Sequence, residues 1–208
     1  MDQRQLDRDV TGAADAHQRL LAHLDASLDV DPRAPSLLPG WTIGHVLTHL
    51  ARNADGAVRM LDGLDQYEGG AAGREAEIER GAGRPMDALV DDVRRTIWRV
   101  EQRWALHTDW SSMARSVGGE VPMAEVPRRR WREVEVHRAD LGLGYTFADM
   151  PAEFLRLELR RMEMLWSARR PMGMTHLPDR ALRAPPPERL AWLMGRTAID
   201  GLDPAGIF

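Results

Sequence analysis

Glu133 and His137 stand four residues apart in the stretch Trp131-Arg-Glu-Val-Glu-Val-His137. On a helix that spacing places both side chains on one face, one turn apart. A carboxylate and an imidazole so placed are two ligands of a divalent metal site that needs a third. Upstream, His45 and His49 are also four residues apart and lie on the apolar stripe of another expected helix. We take His49 as the third ligand, with His45 as the competing ligand or a core histidine satisfied by hydrogen bonds. Two imidazoles and one carboxylate leave coordination positions open for water or substrate. Zinc, nickel and iron all accept such donors. Against this stands a plain alternative: a Glu-x-x-x-His pair is common on helix surfaces, where most such pairs bind nothing.

A site of this kind has to be held by helices with apolar inner faces. Residues 2–28 carry Val10, Ala13, His17, Leu20, Leu21, Leu24 and Leu28 at helical steps, and the helix should end before Pro32. Thr42 suits an N-cap for a second helix over 43–64, with Val46, Leu47, Leu50, Ala54, Val58 and Leu61 inward. A third covers 86–107, with Leu89, Val90, Val93, Ile97, Val100 and Trp104 inward. The fourth, 126–141, carries Glu133 and His137 and is closed by Gly142 and Gly144. Four such stripes predict a mainly all-α protein built on a four-helix bundle. Residues 65–85 are polar and glycine-rich and read as a long loop with a short helical piece around Arg74–Arg80; loops of this length are often functional. Residues 111–126 suggest a hairpin turning at Gly118-Gly119. A fifth helix is expected over 151–169, with Pro151 at its first position, and a short last helix over 187–197. The Pro- and Met-rich segment 171–187 between them reads as irregular, with a strand at Met172-Gly-Met-Thr. The expected division is therefore a bundle over 1–147 and a small C-terminal helical or α+β extension over 148–208.

Composition narrows the function classes. A chain of 208 residues, 43% hydrophobic and 29% charged, is a globular protein of one domain or one with an appendage. No apolar run is long enough to span a membrane, and the charged start lacks a signal-peptide core, so a cytoplasmic location is expected. Net charge of -4 and a pI near 6.0 argue against a broad surface for nucleic acid. Every fixed cation is arginine. Cysteine is absent, which excludes disulfides, Cys-ligated zinc and a protein thiol nucleophile. Thiol chemistry would need a small-molecule thiol.

Four segments carry a family resemblance. Leu38-Pro-Gly-Trp-Thr-Ile-Gly-His-Val-Leu-Thr-His-Leu-Ala-Arg-Asn-Ala-Asp55 resembles the second-helix signature of the mycothiol-dependent maleylpyruvate isomerase family, within the wider DinB/YfiT-like metalloenzymes. Arg132-Glu-Val-Glu-Val-His-Arg-Ala-Asp-Leu-Gly142 is similar to its Arg-Glu-Val-x-x-His-x-x-Asp-Leu-Gly motif. Tyr145-Thr-Phe-Ala-Asp-Met-Pro151 and Gly195-Arg-Thr-Ala-Ile-Asp-Gly-Leu202 resemble later segments. The resemblance implies His49, Glu133 and His137 as metal ligands, a DinB/YfiT-like bundle in 1-2-4-3 order, and mycothiol, an actinobacterial thiol, as co-substrate. It also implies a role in activity for Arg196, which could instead pair with Asp200 at i, i+4. The C-terminal part is shorter and richer in proline than in the isomerases, and Glu135 replaces an expected large apolar residue, pointing away from the Glu133/His137 face.

The expected function is a metal-dependent isomerase or S-transferase that uses mycothiol on a small electrophile. The alternatives are a non-catalytic metal-binding stress or regulatory protein of the same fold, and a bundle that has lost its chemistry. Arg128, Arg129, Arg130 and Arg132 either bind substrate anions or form a solvated face. Asn53 and Asp55 either orient an imidazole or sit on the surface. Trp41, Trp104, Trp131 and Trp166 read as packing.

Overall fold

Helix α1 (Gln3–Asp25) starts where the Asp2 carboxylate accepts a hydrogen bond from the Arg4 backbone N–H, an N-cap. In the computed structural model, which describes residues 2–169 and 176–206, α1 stops three residues short of the expected end, leaving Leu28 exposed. Helix α2 (Ile43–Leu61) is capped by Thr42 as expected. Here His45 completes a capping box: its Nδ1 accepts from the Thr42 backbone N–H at 3.2 Å. Helices α4 (Met86–Leu106) and α5 (Val126–Asp140) supply the other two bundle members. Leu20, Leu24, Val46, Leu47, Leu50, Leu89, Val93, Val100 and Val134 are all fully buried and form the core between them.

Helix α1 packs chiefly on α5, and α2 chiefly on α4, while α2 also touches α5 and α1 touches α4. The second and fourth bundle helices therefore lie side by side. The circuit of neighbours nevertheless runs 1-4-2-3, not the 1-2-4-3 order that the resemblance implied. Close backbone approach explains the α1–α5 pairing: Gly12 of α1 faces the ring of Trp131 so tightly that a Cβ there would overlap it.

The stretch expected as a long loop is largely helix. Helix α3 (Gly70–Ala82) buries only Ile78 and Ala82 and packs against α2. Its docking is made by glycines: a Cβ on Gly44 would overlap the Ala82 carbonyl oxygen, and one on Gly81 would overlap the Thr48 methyl. The hairpin is present as β1 (Met113–Ser116) and β2 (Gly119–Pro122), paired antiparallel with Ser116 opposite Gly119. Its turn residues are Val117 and Gly118, one position earlier than expected, with Gly119 at φ 113°.

The chain divides into two compact units, one ending at Gly144 and one starting at Tyr145. The second unit holds α6 (Ala152–Ala168), α7 (Asp179–Arg183) and α8 (Pro186–Leu193). Helix α6 packs on α8, with the Trp166 and Trp192 ring centres 5.1 Å apart. The segment expected to be irregular thus contains α7. The expected strand at Met172-Gly-Met-Thr lies outside the described residues. Helix α8 stops at Leu193, four residues before the expected end, because Gly195 turns left-handed at φ 71° and the Arg196 N–H bonds back to the Ala191 carbonyl. Among the described residues no helix is long and apolar enough to cross a membrane.

Candidate metal centre

His49 of α2 meets Glu133 and His137 of α5, and one donor atom from each lies within 4.8 Å of the others. His49 Nε2 is 2.8 Å from Glu133 Oε2, and His137 Nε2 is 3.5 Å from the same oxygen. The two imidazoles stand edge to face, with ring centres 4.5 Å apart. His49 is buried, whereas the Glu133 side chain keeps 29% exposure, so the cluster has an open side.

The far nitrogens are held as well. His137 Nδ1 lies 2.9 Å from the Asp140 carboxylate, one turn further along α5, and Asp140 is itself buried. His49 Nδ1 lies 3.0 Å from an amino group of Arg74, on α3. Trp41 covers the same ring, its centre 5.6 Å from that of His49. The loop carrying Trp41 is tied to α5 by the Leu37 N–H, which donates to the Asp140 carbonyl at 2.8 Å.

Electrostatics separates the three donors. Burial, reinforced by the positive charge of His137, pushes His49 down to about 4, so it is neutral at pH 7. Burial would raise Glu133, but the contacts with His137 and His49 outweigh it and hold the carboxyl well below its usual range. Burial works against charge on His137 too, yet Asp140 and Glu133 prevail and raise it. Tyr67, buried nearby, is raised by burial and by the negative charge of Glu133.

The model of the mycothiol maleylpyruvate isomerase N-terminal domain family matches residues 13–142. The chain belongs to this family. The match takes in all three donors of the cluster. Among solved structures, the mycothiol-dependent maleylpyruvate isomerase is similar, with 26% identity and a TM-score of 0.78 over 94% of this chain and 91% of that one. A histidine-to-alanine variant of that isomerase is similar in fold at 24% identity and a TM-score of 0.79, over 92% and 90%. No curated protein sequence matches significantly.

Several other expectations for a member of this family change on contact with the structure. His45 turns away to cap α2, with Nε2 3.4 Å from Glu79, and is not part of the cluster. Among the described residues Asn53 and Asp55 meet no imidazole of the cluster: Asn53 Oδ1 accepts from Arg130, and Asp55 pairs with Arg99 and Arg52. The arginine run does not form one solvated face. Arg130 is buried and donates to His17 Nε2, the Leu50 carbonyl and Asn53, while Arg128 pairs with Glu125. Glu135 does point away from Glu133, but into the core, where Arg19 of α1 meets it at 2.8 Å. Arg196 lies in the second unit, exposed, with one amino group on the Met194 carbonyl. Asp200 bonds to Arg180 through its carbonyl.

Arg74 and Tyr67 were not anticipated, because both lie in the stretch read as loop. Trp41 was read as packing only. The His-x-x-Asp spacing of His137 and Asp140 was a usable signal for the carboxylate that orients the imidazole.

Proposed function

We propose that this family member is a metal-dependent enzyme that uses mycothiol on a small electrophilic substrate, as an isomerase of the maleylpyruvate type or as a thiol S-transferase. The observation that carries this reading is the convergence of His49, Glu133 and His137 inside the family-matched segment. Two further facts support it: the similar solved structure is of a mycothiol-dependent enzyme, and a chain without cysteine must take any thiol from outside.

The donor set fits a divalent ion. Two imidazole nitrogens and a carboxylate oxygen converge from two helices, and the set suits zinc, with nickel or iron accepting the same atoms. When bound, such an ion lowers the pKa of a coordinated thiol so that it reacts as thiolate. The protein's residues are prepared for this. Glu133 is already ionised and His49 already neutral, so neither has to lose charge-balancing protons to serve as a ligand. His137 gives up the proton on Nε2 while Asp140 keeps hold of Nδ1. In the isomerase version the thiolate sulfur adds to a carbon–carbon double bond, the adduct turns about the resulting single bond, and the sulfur leaves again, with no net change in atoms. Residues 1–147 supply the metal-binding bundle, and 148–208 the extension, whose Arg196 has a part in activity.

Protein purified without a histidine tag should carry divalent metal, and His49→Ala should lose it by elemental analysis. Unchanged metal in His49→Ala defeats the ligand assignment. The metal-loaded protein is then incubated with mycothiol and a panel of electrophiles that includes maleylpyruvate. Conjugate or isomerised product supports turnover; none across the panel, with metal retained, leaves a non-catalytic metal-binding protein.

A further inference from the structure

Arg74, on α3, reaches the cluster from outside α2 and α5, and its surroundings are unusual. Its guanidinium is flanked by two aromatic rings, 6.0 Å from the ring centre of Trp41 and 6.0 Å from that of Tyr67. Both distances are within cation–π range. Among the described residues no carboxylate lies within ion-pair distance of it, although many other arginines have one: Arg52, Arg84 and Arg95 on Asp92, Arg99 on Asp55, Arg19 on Glu135. On the cluster it meets a ring nitrogen, His49 Nδ1, at 3.0 Å, and beside it the Tyr67 hydroxyl. A charged fork with no carboxylate partner beside an open cluster is a donor set suited to a stronger acceptor.

The chemistry of His49 adds a second argument. With Nδ1 accepting from Arg74, the ring proton sits on Nε2 and faces Glu133. With Nε2 given to a metal, that proton moves to Nδ1, where it meets the guanidinium donor against donor. The contact breaks and Arg74 has to find another acceptor.

We propose that Arg74 is the anion-holding residue of this site: released from His49 when the imidazole ligates metal, it grips a carboxylate of the substrate against the Trp41 and Tyr67 rings. This rests on the metal-centre reading above. It makes Arg74 a specificity-determining residue, one that favours electrophiles bearing a carboxylate a few ångströms from the reacting centre. Planar carboxylate and planar guanidinium match in a two-pronged contact that lysine cannot copy.

The test titrates the zinc-loaded protein with succinate, which carries the carboxylates but no reactive double bond, and with its neutral counterpart succinamide, by calorimetry. Wild type should bind succinate and not succinamide. Arg74→Gln should weaken succinate binding roughly 10- to 100-fold with zinc content unchanged, and Arg74→Lys should recover part of the loss. Equal succinate affinity in wild type and Arg74→Gln overturns the proposal, as does a wild type that does not bind succinate. Loss of zinc from Arg74→Gln also overturns it, since Arg74 would then position His49 instead. If wild type takes up no zinc, the metal-centre reading has failed and this proposal falls with it; zinc uptake without Arg74-dependent succinate binding overturns the proposal alone.

Discussion

On the metal-centre reading proposed above, His137 gives one nitrogen to a metal and needs the other fixed, a task that falls to Asp140. The carboxylate sits 2.9 Å from Nδ1, is buried, and lies at the end of the same helix, so its own position is set by α5. Replacing such a partner typically costs 10- to 100-fold in metal affinity. Asp140→Asn should therefore weaken zinc binding by about that factor, measured by competition with a chromophoric chelator; unaltered affinity would show that Asp140 serves only α5. The three donors were legible because each lies on a helix whose apolar stripe is regular, and helical spacing then fixes which face they share. Arg74 was not legible, because its reach to His49 depends on where a separate helix docks. Glu135 shows the same limit from the other side. Nothing local announces that a glutamate between Val134 and Val136 is fully buried; its pairing with Arg19, arriving from α1, helps make it tolerable.

Helix α3 is longer than the short helical piece expected around Arg74–Arg80, for a physical reason. Of its thirteen residues only Ile78 and Ala82 are buried, and its contact with α2 is made by bare backbone at Gly44 and Gly81. A helix docked through glycines has no broad apolar stripe to read. The long bundle helices, which bury leucine and valine at every turn, were readable to within a few residues at their ends, and the misplaced ends belong to caps and left-handed glycines. The docking makes a sharp prediction. Gly44→Ala puts a methyl against the Ala82 carbonyl, which is backbone and cannot step aside alone. The substitution should destabilise the protein by about 1–3 kcal/mol in urea denaturation. If the midpoint does not move, α3 is free to shift and does not hold Arg74 in place.

Across the bundle, charge is managed by arginine pairs and by the buried histidine His17. Along the α2–α4 seam, Arg52 and Arg84 meet Asp92, Arg99 meets Asp55 and Arg103 meets Asp62. Deeper in, Arg130 donates to His17 Nε2, so His17 Nδ1–H donates to Glu101 at 2.8 Å, and the imidazole stacks on Trp104. Burial, with the Arg130 charge, lowers His17 to about 4 despite Glu101. The sign follows directly. An unfolded chain protonates this histidine below pH 6.5 and the folded one does not until about pH 4, so its stabilising contribution is full above 6.5 and lost as pH falls between those values. The loss amounts to about 3 kcal/mol. His17→Gln should shrink the difference in urea stability between pH 7.5 and 4.5 by a comparable amount; a variant whose pH dependence matches wild type would mean that His17 is charged in the fold.

One separation in this architecture reaches back to how the chain is made. His49 and Glu133 touch, yet they stand 84 positions apart in sequence. At translation rates of 5–20 residues per second, His49 emerges roughly 4–17 s before its partner. During that interval α2 can form, but the cluster cannot. The centre is assembled only when α5 closes the bundle, so a charged site marks a finished first unit, and chains arrested before Glu133 carry no complete set of donors.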